Sequence, residues 1–224
     1  FRMLPEIVWN MPSLGTFNLH ASLLPDYRGA APINWAIING EKETGVTTFF
    51  LQHEIDTGEI IFQEKETIKK EDTVGDLYER LMTKGSKLVL KTVEAIANDT
   101  VQSVPQVVNS STKHAPKIFK DTCEIDWHKN IDEIYNFVRG LNPYPAAWCT
   151  INNESWKIFM VKPFNFKKQA TPGSVLTDHK NHIIVKANDS WVELLELQMP
   201  GKKKMHTADL LRGNPLAKLE TFNP

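Results

Sequence analysis

Asn18, His20 and Asp56 are the residues of this chain best suited to chemistry. Thr16 to His20 reads as a short strand, and because strand side chains alternate between faces, Asn18 and His20 project from the same side of one rigid element. Pro25, Asp26-Tyr27 and Gly29 then break the strand, so the pair is expected at a strand end beside a loop, where an open site can form. Asp56, just before the turn-forming Thr57-Gly58, is expected to reach the imidazole from the next strand. The reaction that such a trio serves is attack of an amine on a carbonyl. The tetrahedral species formed carries negative charge on oxygen, and losing one donor aimed at that oxygen costs roughly 3 to 4 kcal/mol. Asn18 and His20 fit the donor role. Asp56 would fix the imidazole tautomer, favour the imidazolium and offer a route for the proton that leaves the amine. A single Asn, His or Asp is more often a turn, cap or surface residue than a catalyst. The string Asn18-Leu19-His20-Ala21-Ser22-Leu23-Leu24-Pro25, with Arg28-Gly29 and a downstream Asp56-Thr57-Gly58, is hard to explain as packing alone. His53 lacks that context.

The elements that must position the trio are legible. Ala31 to Asn39 forms a short helix stopped by Gly40, Gly45 to Gln52 reads as a strand, and Ile60 to Glu66 alternates like another. Asp72 or Thr73 caps a long helix in which Leu77, Leu81, Leu88, Val89, Thr92, Val93 and Ile96 form a core-facing stripe, ending near Asn98. The pattern then changes. Residues 105–118 hold Pro105, Ser110, Ser111, Thr112 and Pro116 with little periodicity and read as an interdomain linker, so residues 1–104 and 119–224 are expected to be separate domains. In the second, Asn130 or Asp132 opens a helix through Ile134, Val138 and Leu141. Strands are expected at Ala147–Ile151, Trp156–Val161, Gly173–Leu176, His182–Ala187 and Trp191–Gln198, with turns at Asn152-Asn153 and Asn188-Asp189, and Thr207 caps a last helical turn. Short strands with turn signals suggest a small barrel.

Composition excludes several classes. No apolar run approaches the ~20 residues that span a bilayer. Cys123 and Cys149 make no CxxC pair and read as thiols in a reducing compartment. The seven histidines show no ligand spacing, so no metal is expected. The net charge of −1 is uneven: residues 1–104 carry ten Lys and Arg against fifteen Asp and Glu, whereas the remainder carries sixteen against twelve. A mildly basic second half is consistent with phosphate contacts, although many inert domains match it.

Asn18 to Gly29, with Ala30-Ala31-Pro32-Ile33-Asn34-Trp35 and Glu43-Thr44-Gly45-Val46-Thr47, resembles the formyl-transfer domain of enzymes that use 10-formyltetrahydrofolate. Within that group the chain most resembles the bacterial methionyl-tRNA formyltransferase family, because Ile125-Asp126-Trp127, Leu141-Asn142-Pro143-Tyr144-Pro145-Ala146-Ala147-Trp148 and Pro200-Gly201-Lys202-Lys203-Lys204-Met205 match its C-terminal domain. The resemblance implies the C-terminal half of a Rossmann-like α/β formyltransferase domain, built on an open parallel sheet, followed by an oligonucleotide-binding-like β-barrel. It implies Asn18, His20 and Asp56 as catalytic residues and Ser22, Leu23, Leu24 and Pro25 as lining for the folate, with Phe1 to Pro5 matching the loop that cradles the pterin. The chain opens at Phe1 without Met, and the resemblance implies that about the first ninety residues of the family's N-terminal domain are absent and that the fragment alone lacks activity. The implied partners are 10-formyltetrahydrofolate and initiator methionyl-tRNA, with no membrane, in a cytoplasmic monomer. Lys202, Lys203 and Lys204 are expected to meet tRNA phosphates. Formyl transfer to a sugar-nucleotide amine is the alternative, opposed by Ala30 where those enzymes tend to carry Arg. A non-catalytic RNA-binding fragment is the other.

Overall fold

The computed structural model describes residues 4–213, 216 and 219–222, so Phe1, Arg2 and Met3 of the expected pterin loop lie outside the described residues. The chain divides into two compact units, Phe1–Ala36 with Glu41–Ile118 and Ile37–Gly40 with Phe119–Pro224. The first contains α1 (Glu6–Trp9), β1 (Phe17–His20), β2 (Arg28–Gly29), most of α2 (Pro32–Ile38), β3 (Glu43–Phe50), β4 (Ile60–Thr67), α3 (Val74–Ala97) and β5 (His114–Ala115). Its main sheet has the order β1-β3-β4, with both pairings antiparallel. That differs from the expected parallel sheet, because β3 and β4 join as neighbours through the loop that holds Asp56, and β1 runs against β3 with His20 opposite Thr47.

Helix α3 starts where the sequence places it. Thr73 accepts from Asp76 N while Asp76 accepts from Thr73 N, a closed capping box that satisfies two otherwise orphaned donors. Leu77, Leu81, Leu88 and Thr92 are buried, and Thr92 Oγ1 meets Thr48 Oγ1 at 2.9 Å. Val93, expected in that stripe, is 49% exposed, since its neighbour Thr92 already takes the inward position and one residue turns ~100° around the axis. Arg80 fastens the helix to β4: its guanidinium reaches Asp72 at 2.5 and 3.0 Å, Glu66 at 2.9 Å and the Thr67 carbonyl at 3.1 Å.

The expected linker is not free chain. Within the first unit β5 pairs in parallel with β2, Val104 exchanges backbone bonds with Ile60, and Lys113 N donates to Asp26 Oδ1. Polar residues without periodicity read as a loop. Gln106 and Lys113, however, bond to partners far off in sequence, which periodicity cannot register.

The second unit holds a short 3-10 turn (Asp121–Cys123), α4 (Ile131–Leu141), β6 (Ala147–Ile151), β7 (Glu154–Phe164), β8 (Val175–Thr177), β9 (Ile183–Lys186), β10 (Trp191–Gln198), β11 (Met205–His206), α5 (Thr207–Gly213) and β12 (Glu220–Thr221). The strands run β12-β8-β9-β10-β7-β6, with β11 on β10. Asn152 and Asn153 both have positive φ, 52° and 63°, the geometry of a two-residue hairpin turn matched to strand twist. Trp156 and Trp191 are core residues, as aromatic residues in a small β unit usually are. Asn130 caps α4 with Glu133, and Ile134, Val138 and Leu141 face inward. Among the described residues no helix is long and apolar enough to cross a membrane.

The Arg80 cluster sets an acid sensitivity. Burial alone raises the Asp72 carboxyl, but hydrogen bonds from Arg80 and the Lys69 N–H, with the Arg80 charge, outweigh it and leave the pKa lowered. A lowered folded-state pKa contributes stability that is present above the unfolded value and lost as pH falls through the folded one. The difference in melting temperature between the wild-type protein and Arg80→Met should therefore be full at neutral pH and shrink below about pH 4, as thermal unfolding across pH would record.

Candidate active site

His20 lies at the end of β1, 7% exposed, and its Nε2 is 2.8 Å from the Tyr27 carbonyl. A carbonyl only accepts, so Nε2 carries the proton and Nδ1 is the nitrogen left to work. Nδ1 stands 3.8 Å from Asp56 Oδ2, near enough for charge coupling and too far for a direct hydrogen bond. The tautomer is thus held by a backbone oxygen rather than by the carboxylate expected from sequence. Asn18 is exposed on the same strand. Its Oδ1 accepts from Leu19 N at 2.9 Å, which turns the amide nitrogen outward with no partner among the described residues.

Tyr27 offers that carbonyl because its backbone is left-handed, at φ 62°, an uncommon state for a bulky residue. Several contacts hold it: its N donates to the Lys113 carbonyl at 2.6 Å, and its hydroxyl donates to Glu41 Oε1, also at 2.6 Å, beside the Lys113–Glu41 ion pair. Burial pushes the Glu41 carboxyl up, yet the hydrogen bonds from Lys113 and Tyr27 and the Lys113 charge leave it below its ordinary value, so the clamp remains charged at neutral pH.

Asp56 sits in the loop between β3 and β4, also left-handed at φ 56°, and its Oδ2 accepts from Gly29 N at 3.0 Å. Gly58 allows the loop to close, since a Cβ there would lie 1.6 Å from the Phe50 carbonyl. Gln106 joins these pieces. Its Oε1 accepts from Arg28 Nε and Nη2 at 3.0 and 2.6 Å, and its Nε2 donates to the Asp56 and Gly58 carbonyls at 3.0 and 2.8 Å. Sequence reasoning missed Tyr27 and Gln106 as parts of the site. Tyr27 acts through its backbone, which side-chain type does not report, and Gln106 falls in the segment read as linker.

The segment expected to line a folate site runs along the same loop. Ser22 is fully buried; its hydroxyl donates to the Asp26 carbonyl at 2.6 Å and its carbonyl accepts from Thr47 Oγ1 at 2.6 Å. Leu24 is 3% exposed and its carbonyl accepts from Gln63 Nε2 at 2.8 Å. Leu23 lies against Gly45, and Leu23 and Pro25 are half-buried. Ser22 and Leu24 therefore brace the loop, and Leu23 and Pro25 are the members with surface to offer. In the second unit, Lys204 pairs with Glu196 at 2.9 Å and lies over the Phe159 ring, whereas Lys202 and Lys203 are exposed with no side-chain partner among the described residues.

Comparison with known proteins places this chain in a family. Residues 1–95 match the family described as formyl transferase, and residues 117–215 match the formyl transferase C-terminal domain. The methionyl-tRNA formyltransferase of Bacteroides fragilis is 54% identical over 221 residues, which cover 95% of this chain and 68% of that protein. The chain belongs to the methionyl-tRNA formyltransferase family. Among solved structures, the N-formyltransferase of Helicobacter canadensis in complex with folinic acid and dTDP-3-aminofucose is 26% identical, with a TM-score of 0.62 over 82% of this chain and 65% of that one. HypX of Aquifex aeolicus in complex with tetrahydrofolic acid has a TM-score of 0.72 over the whole of this chain and 39% of its own, at 21% identity, a likeness of fold.

In this formyltransferase family member Gly29 stands at the crossing of these contacts. Its φ is 122°, and a Cβ would lie 2.4 Å from the Ala115 carbonyl. Gly29→Ala should break the β2–β5 pairing and destabilise the unit by on the order of 2 kcal/mol, read as a lower melting temperature. Amide exchange at Gly29 and Tyr27 should quicken in the same variant, and unchanged exchange would show that the pairing tolerates the methyl.

Proposed function

We propose that the first unit's site transfers the formyl group of 10-formyltetrahydrofolate to the methionine amino group of initiator methionyl-tRNA, giving N-formylmethionyl-tRNA. The observation that carries the reading to residues is the His20 arrangement, with Nε2 pinned, Nδ1 open and Asp56 alongside. The folate supplies an activated formyl carbonyl when bound. The residues present fit that chemistry, because the Asn18 amide nitrogen has no partner among the described residues on the strand that carries His20. Asn18 donates to a carbonyl oxygen as it gains negative charge. His20 Nδ1 accepts the proton that the attacking amine gives up, holds it as a second donor, and returns it to the folate nitrogen as the bond from that nitrogen to the formyl carbon breaks and tetrahydrofolate leaves. The Asp56 carboxylate stabilises the positive ring so formed, an interaction present only once the proton has moved. Leu23 and Pro25 offer the folate an apolar edge.

Relatives at about half identity are methionyl-tRNA formyltransferases, whereas the Helicobacter canadensis N-formyltransferase solved with dTDP-3-aminofucose is 26% identical. That difference favours tRNA as the acceptor over a sugar nucleotide. Reading the second unit as an oligonucleotide-binding-like barrel that grips tRNA belongs to the same proposal, as do action in the cytoplasm and as a monomer.

His20→Ala should lower kcat by about a hundredfold or more with little change in KM, because it removes a group used only in the transition state. Asn18→Ala should act likewise. Steady-state kinetics with formyl-donor folate and methionyl-tRNA decide the matter, and an effect confined to KM would make either residue a ground-state binder.

Lys202 and Lys203 provide an independent test of the tRNA role. Replacing both with Gln should weaken tRNA binding and lower the slope of log K against log salt by about one for each phosphate no longer neutralised, with kcat at saturation largely kept. An unchanged slope returns them to the solvated surface. Lys204, held by Glu196 and Phe159, should contribute less.

A further inference from the structure

We propose that Gln106 is a positioning residue for the reaction, setting the Asp56 carboxylate beside His20 through the Asp56 and Gly58 carbonyls and through Arg28. The inference rests on the formyl-transfer reading above and adds to it a residue that touches no reacting atom. Gln106 comes from the strap that leads into β5, 50 residues from Asp56 and 78 from Arg28, so no local periodicity links them.

A glutamine amide has two donors and an oxygen with two lone pairs, and here all are used. Both N–H groups go to carbonyls and both lone pairs receive guanidinium N–H groups. The amide cannot be turned over, because its oxygen would then face two carbonyls and its nitrogen the guanidinium. No other side chain of this length meets the same demands. Glutamate keeps Arg28 but sets a carboxylate against the two carbonyls, methionine offers neither function, and asparagine is a methylene too short.

The grip acts where the catalytic geometry is set. Asp56 is left-handed, a state a non-glycine residue keeps only when its surroundings hold it. Gln106 holds the carbonyl at that residue and the one two positions on, while Gly29, adjacent to Arg28, holds the carboxylate itself. Releasing Gln106 frees both ends of the arrangement, and the distance from Asp56 to His20 Nδ1 is no longer maintained.

The test uses Gln106→Glu in the protein that carries this chain, with Gln106→Met as the variant that removes all the bonds without adding charge. Two readouts are taken: kcat and KM for folate and tRNA at temperatures well below melting, and amide exchange at Gly29, whose N–H is held by Asp56. The expected result is a loss of kcat of roughly tenfold to a hundredfold, both KM values within about twofold, and faster exchange at Gly29. Unchanged kcat in folded Gln106→Met, or a loss carried by KM alone, would overturn the proposal and leave Gln106 a stabiliser of the loop. Gly29 exchange equal to wild type would also overturn it, since the carboxylate would then be held without Gln106. Failure of the wild-type protein to formylate methionyl-tRNA is a separate outcome that strikes the functional reading, and the exchange measurement still reports whether Gln106 positions Asp56.

Discussion

The hydrogen bond from His20 Nε2 to the Tyr27 carbonyl is the constraint on which the rest of the site depends. It chooses the tautomer with an acceptor that cannot itself ionise, so the open nitrogen is the same whatever the charge of Asp56. This division of labour frees Asp56. Bonded directly to the ring it would orient the imidazole; at 3.8 Å it acts through charge, and its Oδ2 is oriented by the Gly29 amide instead. The carbonyl is presented by a left-handed Tyr27, whose N–H donates to the Lys113 carbonyl and whose hydroxyl donates to Glu41 beside the Glu41–Lys113 ion pair. The strap from residue 104 to residue 116 is thus part of the architecture around His20, with Gln106 and Lys113 bonded to the elements that hold Asp56 and Tyr27.

How much of this was legible in the sequence follows from the range of each interaction. The strand holding Asn18 and His20, the long helix from Thr73 to Asn98 and strands β6 to β10 of the second unit were readable, because alternation, capping boxes and turn pairs are local signals, whereas the two-residue β11 and β12 were not expected. That Asn18 and His20 share a strand and that Asp56 comes near the imidazole was readable from residue type and spacing. The pairing sense of β1, β3 and β4 was not, since strand direction depends on which strand lies next to which, and antiparallel pairing through the Asp56 loop has no sequence mark of its own. Nor was the strap. Gln106 and Lys113 find partners 48 to 78 and 72 residues away, and a polar stretch with Pro105 and Pro116 looks the same whether its groups bond to protein or to water.

The loop from Ser22 to Pro25 carries a related lesson about motif residues. Resemblance gives all of them to the folate, while burial divides them. Ser22 and Leu24 spend their polar groups on Asp26, Thr47 and Gln63, and Thr47 in turn sits opposite His20 across the sheet. A residue that braces the loop is as necessary to the motif as one that touches ligand. The two duties predict different failures, because removing a brace destabilises the unit and removing a ligand-facing side chain weakens binding alone.

The same division applies to charge in the second unit. A run of lysines looks uniform in sequence, yet Lys204 already satisfies Glu196 and covers Phe159, whereas Lys202 and Lys203 have their ammonium groups in solvent. Phosphate binding draws on the charges that are not already paired, since a paired lysine must first give up its carboxylate before it can neutralise a phosphate. The surplus of basic residues after residue 105 therefore overstates the charge available to a nucleic acid. On the proposed reading, affinity for a tRNA should track the unpaired lysines rather than the formal net charge, and the site around His20, whose ion pairs are internal, should respond to salt far less than the surface proposed to meet the tRNA.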